Sequence, residues 1–222
     1  MTRRSFSCVV LSGGPLWAAR GAVLPNERRR YSDPATEGEV FRLTDPAKPC
    51  LLPGLARRCM SSKGNFLVFS SDRGQGWQVY RMELKSGEMR QLTEAKALDP
   101  STVLLAGDEK SVYFADGGVI QAATTRDREI YAAKDKLETF HVTDDGLYAL
   151  VSEGGKLLLV SALTKTPPRK LADATAAEIH PRPRRASAVY RLGDQWFLAH
   201  LDGAVNRKLA FLDGTKGVQW SA

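Results

Sequence analysis

The chain has 222 residues, 43% of them hydrophobic and 26% charged, with a formal net charge of +7. That length suffices for one or two domains, and no apolar run approaches the roughly eighteen residues of a membrane-spanning helix. No Pro/Gly/Ser-rich linker or low-complexity stretch divides the sequence, so the composition points to one soluble body.

The N-terminus differs in kind from the rest. Thr2-Arg3-Arg4-Ser5-Phe6 matches the twin-arginine export pattern, two adjacent arginines ahead of a polar and an aromatic residue. A weakly apolar stretch follows from Cys8 to Ala19, interrupted at Gly13-Gly14-Pro15, and no clean Ala-x-Ala site closes it. Cleavage is expected between Ala18 and Val23, with the mature chain starting near Leu24. Residues 1–27 are therefore read as a signal segment and 28–222 as the folded domain, in the periplasm or secreted; a disordered basic start is the alternative. Cys8 would leave with the signal. Cys50 and Cys59, nine apart in one loop, are then candidates for a disulfide in an oxidising compartment, or two free thiols.

From residue 64 onward the chain reads as strands. Gly64 to Arg73 alternates with period two, as does Trp77 to Leu84; Lys85-Ser86-Gly87-Glu88 is a tight turn, and Met89 to Thr93 a third strand. The second unit repeats the order with Ser111 to Ala115, a turn at Asp116-Gly117-Gly118, and Val119 to Ala122. The third has Leu147 to Val151, a turn at Glu153-Gly154-Gly155-Lys156, and Leu157 to Val160; the fourth has Ser187 to Arg191, Gly193-Asp194, and Gln195 to Ala199. Ala122 to Lys136 has some helical look, but its place in the repeat makes it strand and loop.

One phrase closes these segments five times, a basic or polar pair and then an aliphatic residue: Phe41-Arg42-Leu43, Arg90-Gln91-Leu92, Arg128-Glu129-Ile130, Arg169-Lys170-Leu171 and Arg207-Lys208-Leu209. The aliphatic positions are separated by 49, 38, 41 and 38 residues. A period near forty with all-strand texture is that of β-propeller blades, each a four-stranded sheet that cannot bury both faces alone. The recurring order favours this all-β propeller over an evenly spaced β-sandwich. About four blades are present. Asp33 to Asp45 reads as the last strand of a blade, and Val218 to Ala222 as the first strand of a fifth, so the chain is expected to be the opening part of a longer ring.

Several of these segments carry a family resemblance. Tyr31-Ser32-Asp33-Pro34-Ala35-Thr36 followed by Val40 to Asp45 resembles the opening of the oligogalacturonate lyases, as do Phe69 to Arg73, Trp77 to Tyr80 and Gly87 to Thr93. The likeness is expected over about residues 28 to 222, and its Ser-Asp-Arg and Gln-Leu-Thr pieces are shared with TolB-type, WD40-like propellers. It implies a seven-bladed ring, β-elimination of pectin-derived oligouronides, and a manganese-type divalent ion in the central channel. It also matches His180-Pro181 to a pair that opens a blade, implying a channel-facing His180 with Arg184 as a carboxylate contact.

That chemistry sets requirements. The C5 proton of a uronate becomes acidic only when its carboxylate is neutralised, a base must take it, and the enolate must be held. Basic residues cluster at Arg28-Arg29-Arg30, at Arg57-Arg58 and at Arg182, Arg184 and Arg185. No nucleic-acid module and no aromatics interleaved on a basic face accompany them. An acidic oligosaccharide such as oligogalacturonate suits arginine forks, which pair with carboxylates through two parallel hydrogen bonds. His180, Arg182, Arg184 and Arg185 are the candidate substrate contacts; His141 and His200 read as structural or surface groups. Two histidines implied by the resemblance are replaced, one within Val189 to Gly193 and one within Gly217-Val218-Gln219, so the metal ligands are not present and no catalytic base is assigned. Two functions remain open: an oligogalacturonate lyase homologue, and a non-catalytic exported propeller binding a glycan or an envelope protein.

Fusing residues 1–30 to a reporter that needs folded translocation should export it. Arg3→Lys with Arg4→Lys should block that export; unchanged export in the double variant would refute the twin-arginine reading.

Overall fold

The computed structural model describes residues 20–220 except 55, 56, 75, 125, 126, 203, 204 and 219. The signal motif at 2–6, Cys8 and the rest of residues 1–19 lie outside the described residues, as do 219, 221 and 222 of the expected fifth blade.

Period-two alternation here serves four sheets, of which the second and third are covered on both faces by neighbouring sheets. The first comprises β1 (Val23–Leu24), β4 (Cys50–Leu51), β5 (Phe66–Asp72), β6 (Trp77–Glu83) and β7 (Met89–Gln91), in the order β1-β7-β6-β5-β4. Between β1 and β4 the chain makes a separate hairpin of β2 (Arg29–Ser32) and β3 (Glu39–Arg42). The second sheet holds β8 (Leu98–Leu105), β9 (Val112–Asp116), β10 (Val119–Ala123) and β11 (Asp127–Ala132). The third holds β12 (Leu137–Val142), β13 (Tyr148–Glu153), β14 (Lys156–Ser161) and β15 (Arg169–Ala172); the fourth holds β16 (Glu178–Pro181), β17 (Ser187–Leu192), β18 (Gln195–His200) and β19 (Asn206–Lys208). Every sheet is built on a four-stranded antiparallel meander, with β1 added beside β7 in the first, and the inner strands β8, β12 and β16 of successive sheets lie beside one another. Four of the five repeated phrases fall on β7, β11, β15 and β19, at the outer side of each sheet.

The core is divided by strand alternation. Phe66, Val68 and Val79 of the first sheet pack on Val103, Leu105, Val112 and Phe114 of the second. The intervening residues Leu104 and Ala106, with Tyr113 and Ile120, face Phe140, Val142 and Val151 of the third. Leu150, Leu157 and Leu159 then face Ile179, Ala188 and Tyr190 of the fourth. Burial on both faces explains why β5 and β13 read as nearly unbroken apolar runs rather than as strict alternation. The turn at Gly87 has φ +74, and a Cβ there would meet the Asn26 side chain at 2.3 Å, so two constraints demand glycine.

Three features differ from the sequence expectations. Residues 20–24, assigned to the signal, are built into the first sheet: Val23 and Leu24 pair with Arg90 and Met89, and the Arg20 guanidinium lies 2.9 Å from Asp127. The fold thus takes in residues ahead of the boundary drawn at 28. Asp33 to Asp45 is not a blade's outer strand, because β3 pairs with β2 alone; Leu24 and Leu43 instead cover Phe69, Tyr80, Met82 and Met89 on the outer face of the first sheet. The described part of the last segment, including Val218 and Trp220, forms no strand. Cys50 and Cys59 are both free thiols. Cys50 stands opposite Ser71 and Cys59 beside Val68, three positions along β5 or about 10 Å, too far for a disulfide.

Two arginines fasten the assembly. Arg57, in the loop between β4 and β5, donates to the Thr102 carbonyl on β8 at 2.7 Å, and to the Phe140 carbonyl and Thr139 Oγ1 on β12 at 2.8 and 3.2 Å. One guanidinium thereby ties the first sheet to the inner strands of the second and third. Burial lowers its pKa to about 10, opposed by Asp99, so it stays charged at neutral pH. Arg73, just after β5, holds Glu27 through contacts of 2.5 and 3.0 Å, and Glu27 also accepts the Asp45 amide at 2.9 Å.

Arg57→Met keeps the apolar stem but strands three acceptors, and should lower unfolding stability by about 2–3 kcal/mol in urea melts. Arg57→Lys should restore only part of this, since a point charge cannot serve three acceptors of fixed geometry. An unchanged midpoint in Arg57→Met would show the knot to be dispensable.

Glu27 gives a pH-dependent test. Its hydrogen bond to Arg73 holds the carboxyl below its ordinary 4.5. A depressed carboxyl stabilises fully above 4.5 and loses that contribution as pH falls through the lower folded value. Glu27→Gln should therefore melt below wild type at pH 7, and the difference should close as both are acidified below pH 4.5.

Candidate functional site

The site grows from turns between the first and second strands of neighbouring blades. β16 ends at Pro181, and residues 182–186 turn the chain into β17, with Arg182 N donating to the Ser187 carbonyl at 2.8 Å and Arg185 N to the Arg182 carbonyl at 3.3 Å. Arg184 sits at φ +55, a region costly for a residue with a Cβ. Glu109 shares that conformation at φ +58, but its carboxylate is held by Arg58 and by the Ser62 amide. Arg184 has no such anchor among the described residues. The turn itself sets this conformation, with Pro183 and Arg184 at its centre and the Arg185 N bond to the Arg182 carbonyl closing it, and it leaves the Arg184 side chain exposed.

The adjoining turn of the third blade is ordered by Asp145, whose Oδ1 accepts from Thr143 Oγ1 at 2.5 Å and from Leu147 N at 2.9 Å. Between the two turns lies a cleft of about 320 Å³, with Asp144, Asp145 and Tyr148 on one wall and Arg182, Arg184 and Arg185 on the other. All three arginines are exposed and none has an ion-pair partner among the described residues. The Arg182 guanidinium lies 5.3 Å from the centre of the Trp220 ring, a cation–π contact that holds it at the rim.

The other basic clusters serve the fold. Arg28 donates to the carbonyls of Leu84 and Lys85 and lies 3.9 Å over Phe41; Arg30 pairs with Glu39, and Arg58 with Glu109. Arg29 is exposed as well, but 182–185 is the cluster in which no arginine makes an ion pair among the described residues.

His180 does not join that cleft. On β16 its side chain lies on the same face as Glu178, is 8% exposed, and its Nε2 sits 3.3 Å from Glu178 Oε2. Its ring stacks obliquely on Trp196 at 5.7 Å, and its carbonyl accepts from Trp220 Nε1 at 3.2 Å. Glu178 is further claimed by Arg191 at 2.5 and 3.0 Å. Strand alternation turns His180 onto the sheet face, whereas the arginines stand in the turn beyond the strand's end. His180, expected to share a substrate with Arg184, thus lies outside the cleft that the arginines line.

These residues do not fit a divalent ion. One imidazole and one carboxylate already bound by a guanidinium make a poor donor set, and no group of three or more His, Cys, Asp or Glu among the described residues could hold a metal. His141 Nδ1 lies 2.9 Å from the Val142 carbonyl, and His200 is exposed at the end of β18. Asp144, Asp145 and Tyr148 escaped the sequence reading; the Asp144-Asp145-Gly146 turn was visible, but not its apposition to Arg184.

Radially stacked four-stranded meanders with short turns at one face define a β-propeller. Within that class, the family model for oligogalacturonate lyase matches residues 18–148, and the chain belongs to that family. The match covers the first two blades and the start of the third, opens ahead of residue 28, and stops short of the arginine turn. An oligogalacturonide lyase of Pectobacterium atrosepticum is 27% identical over 121 residues, 53% of this chain and 31% of that protein. An oligogalacturonate lyase of Dickeya dadantii is 30% identical over 96 residues, 43% of this chain and 25% of that protein. The chain thus matches about a third or less of these relatives' length. Among solved structures, an oligogalacturonate lyase in complex with manganese has a TM-score of 0.76 at 17% identity, covering 86% of this chain and 61% of that one. TolB from Acinetobacter baumannii shares the fold with a TM-score of 0.53 at 15% identity, covering 84% of this chain and 53% of that one. No helix among the described residues is long and apolar enough to cross a membrane.

Proposed function

We propose that this propeller binds acidic oligosaccharides of the oligogalacturonate type, with Arg182, Arg184 and Arg185 as the carboxylate contacts. The observation that carries the reading is the exposed arginine turn, without an ion pair among the described residues, over a cleft whose opposite wall offers Asp144, Asp145 and Tyr148. Arginine forks neutralise uronate carboxylates, and aspartates accept from sugar hydroxyls. Family membership supplies the substrate class and the overall chemistry, β-elimination in the breakdown of pectin oligouronides. Neutralising the carboxylate is the part of that chemistry this chain's residues can perform. His180 is 8% exposed on the sheet face and outside the cleft lined by Arg182, Arg184 and Arg185, so it is not placed to take the C5 proton of a sugar whose carboxylate those arginines hold, which favours binding without turnover. His180 supports the site indirectly, through its carbonyl bond to Trp220 beside Arg182. The same reading places the protein in the periplasm or outside the cell, supported by Arg3-Arg4 and by the extracellular origin of pectin fragments.

Titration calorimetry with digalacturonate tests the binding. Arg184→Gln with Arg185→Gln should weaken it about tenfold or more, and added salt should weaken the wild type toward the variant. Undiminished affinity in the double variant would exclude the turn. Ultraviolet absorbance of the C4–C5 double bond should not grow on digalacturonate, with or without manganese. Robust growth that vanishes in His180→Ala would instead make His180 the base.

A further inference from the structure

The arginine cleft does not end at the third blade's turn. A second cavity of about 390 Å³ lies farther out along the boundary of the third and fourth blades, and the two share Tyr148, Ala186 and Leu201 as lining. We propose that they form one groove for an extended acidic saccharide, with Tyr148 as its central platform and Arg169 as a distal carboxylate contact. This rests on the reading of the arginine turn given above.

Tyr148 is the observation that joins the two cavities. It opens β13, whose other five residues are buried, yet it is itself 39% exposed. An aromatic ring left at a cleft wall offers a flat apolar surface with a polar tip, which suits a pyranose ring with its C–H face and hydroxyl rim. Arg169, exposed at the start of β15, leans across the blade boundary to donate from Nη1 to the Asp202 carbonyl. That bond fixes one side of its guanidinium in the outer cavity, beside Thr166 and Pro167.

Charge spacing then selects the ligand. A uronide chain carries one carboxylate on every sugar, so a longer chain presents anions at both ends of the groove. Arginines at 182, 184 and 185 on one side of Tyr148 and at 169 on the other match such a repeating anion, while Asp144, Asp145 and Asp202 of the same lining are placed to accept from sugar hydroxyls. The groove therefore discriminates by length, short oligouronides filling the inner cleft and longer ones reaching Arg169.

Titration of the full chain with digalacturonate and hexagalacturonate separates the possibilities. The longer chain is expected to bind about tenfold tighter than the shorter, the gain of one further charge-assisted contact. Arg169→Gln should remove that gain and leave digalacturonate affinity unchanged. Tyr148→Ala should also abolish the length dependence, and Tyr148→Phe, which keeps the ring, should retain it and guard against a folding artefact. Equal affinity for both lengths in the wild type, or a length gain untouched by Arg169→Gln, would overturn the groove while leaving the inner cleft intact. Failure of both oligouronides to bind would overturn the arginine-turn reading itself, and the groove with it.

Discussion

One guanidinium holds the inner ends of three blades together. A propeller buries the faces of its sheets between neighbours, but its inner strands converge where few apolar side chains fit, and backbone polarity must be met there by other means. Arg57 answers this by reaching from a loop of the first blade to carbonyls on β8 and β12. Its neighbour continues the work: the Arg58 carbonyl accepts from Leu105 N at 2.7 Å, and its side chain pairs with Glu109, which also caps the Ser62 amide. A loop that would otherwise swing free becomes part of the ring's inner wall. The turns that form the cleft inherit their positions from blades fixed in this way.

That rigidity bears on the site. The cleft walls are turns of two blades in apolar contact through Leu150, Leu159, Ile179 and Tyr190, so packing sets the distance between the strands that carry them. Arginines on a rigid turn lose less entropy on binding a carboxylate than arginines on a mobile one. The strain at Arg184 is tolerable for the same reason, because β16 and β17 determine where the turn must close.

Chemistry and architecture separate within the fourth blade. Glu178, His180, Arg191 and Trp196 form a closed cluster on one sheet face, with charge balanced inside it. Arg182, Arg184 and Arg185, two to five residues farther along the chain, make no ion pair among the described residues, although Asp144 and Asp145 stand across the cleft. The first arrangement contributes to stability and to orienting Trp220; the second is available to a ligand. Histidine and arginine of one short segment thus play different parts.

By itself the sequence determined the blades. Period-two strands, the glycine turns at Gly87, Gly117-Gly118, Gly154-Gly155 and Gly193, and the recurring phrase ending at Leu92, Ile130, Leu171 and Leu209 are local signals, because a strand's two faces and a turn's φ are fixed within a few residues. The same phrase misled at Leu43, since nothing local tells an outer strand from a hairpin that merely covers Tyr80 and Met89. Tertiary structure alone decided which charges are free. Arg57 and Arg58 look as available in the sequence as Arg184 and Arg185, yet their partners lie 45 to 83 residues away for one and 51 for the other. It also set His180 against Glu178 and Trp196, and set Asp144 and Tyr148 across from Arg184, because only packing of one blade on the next brings those faces together.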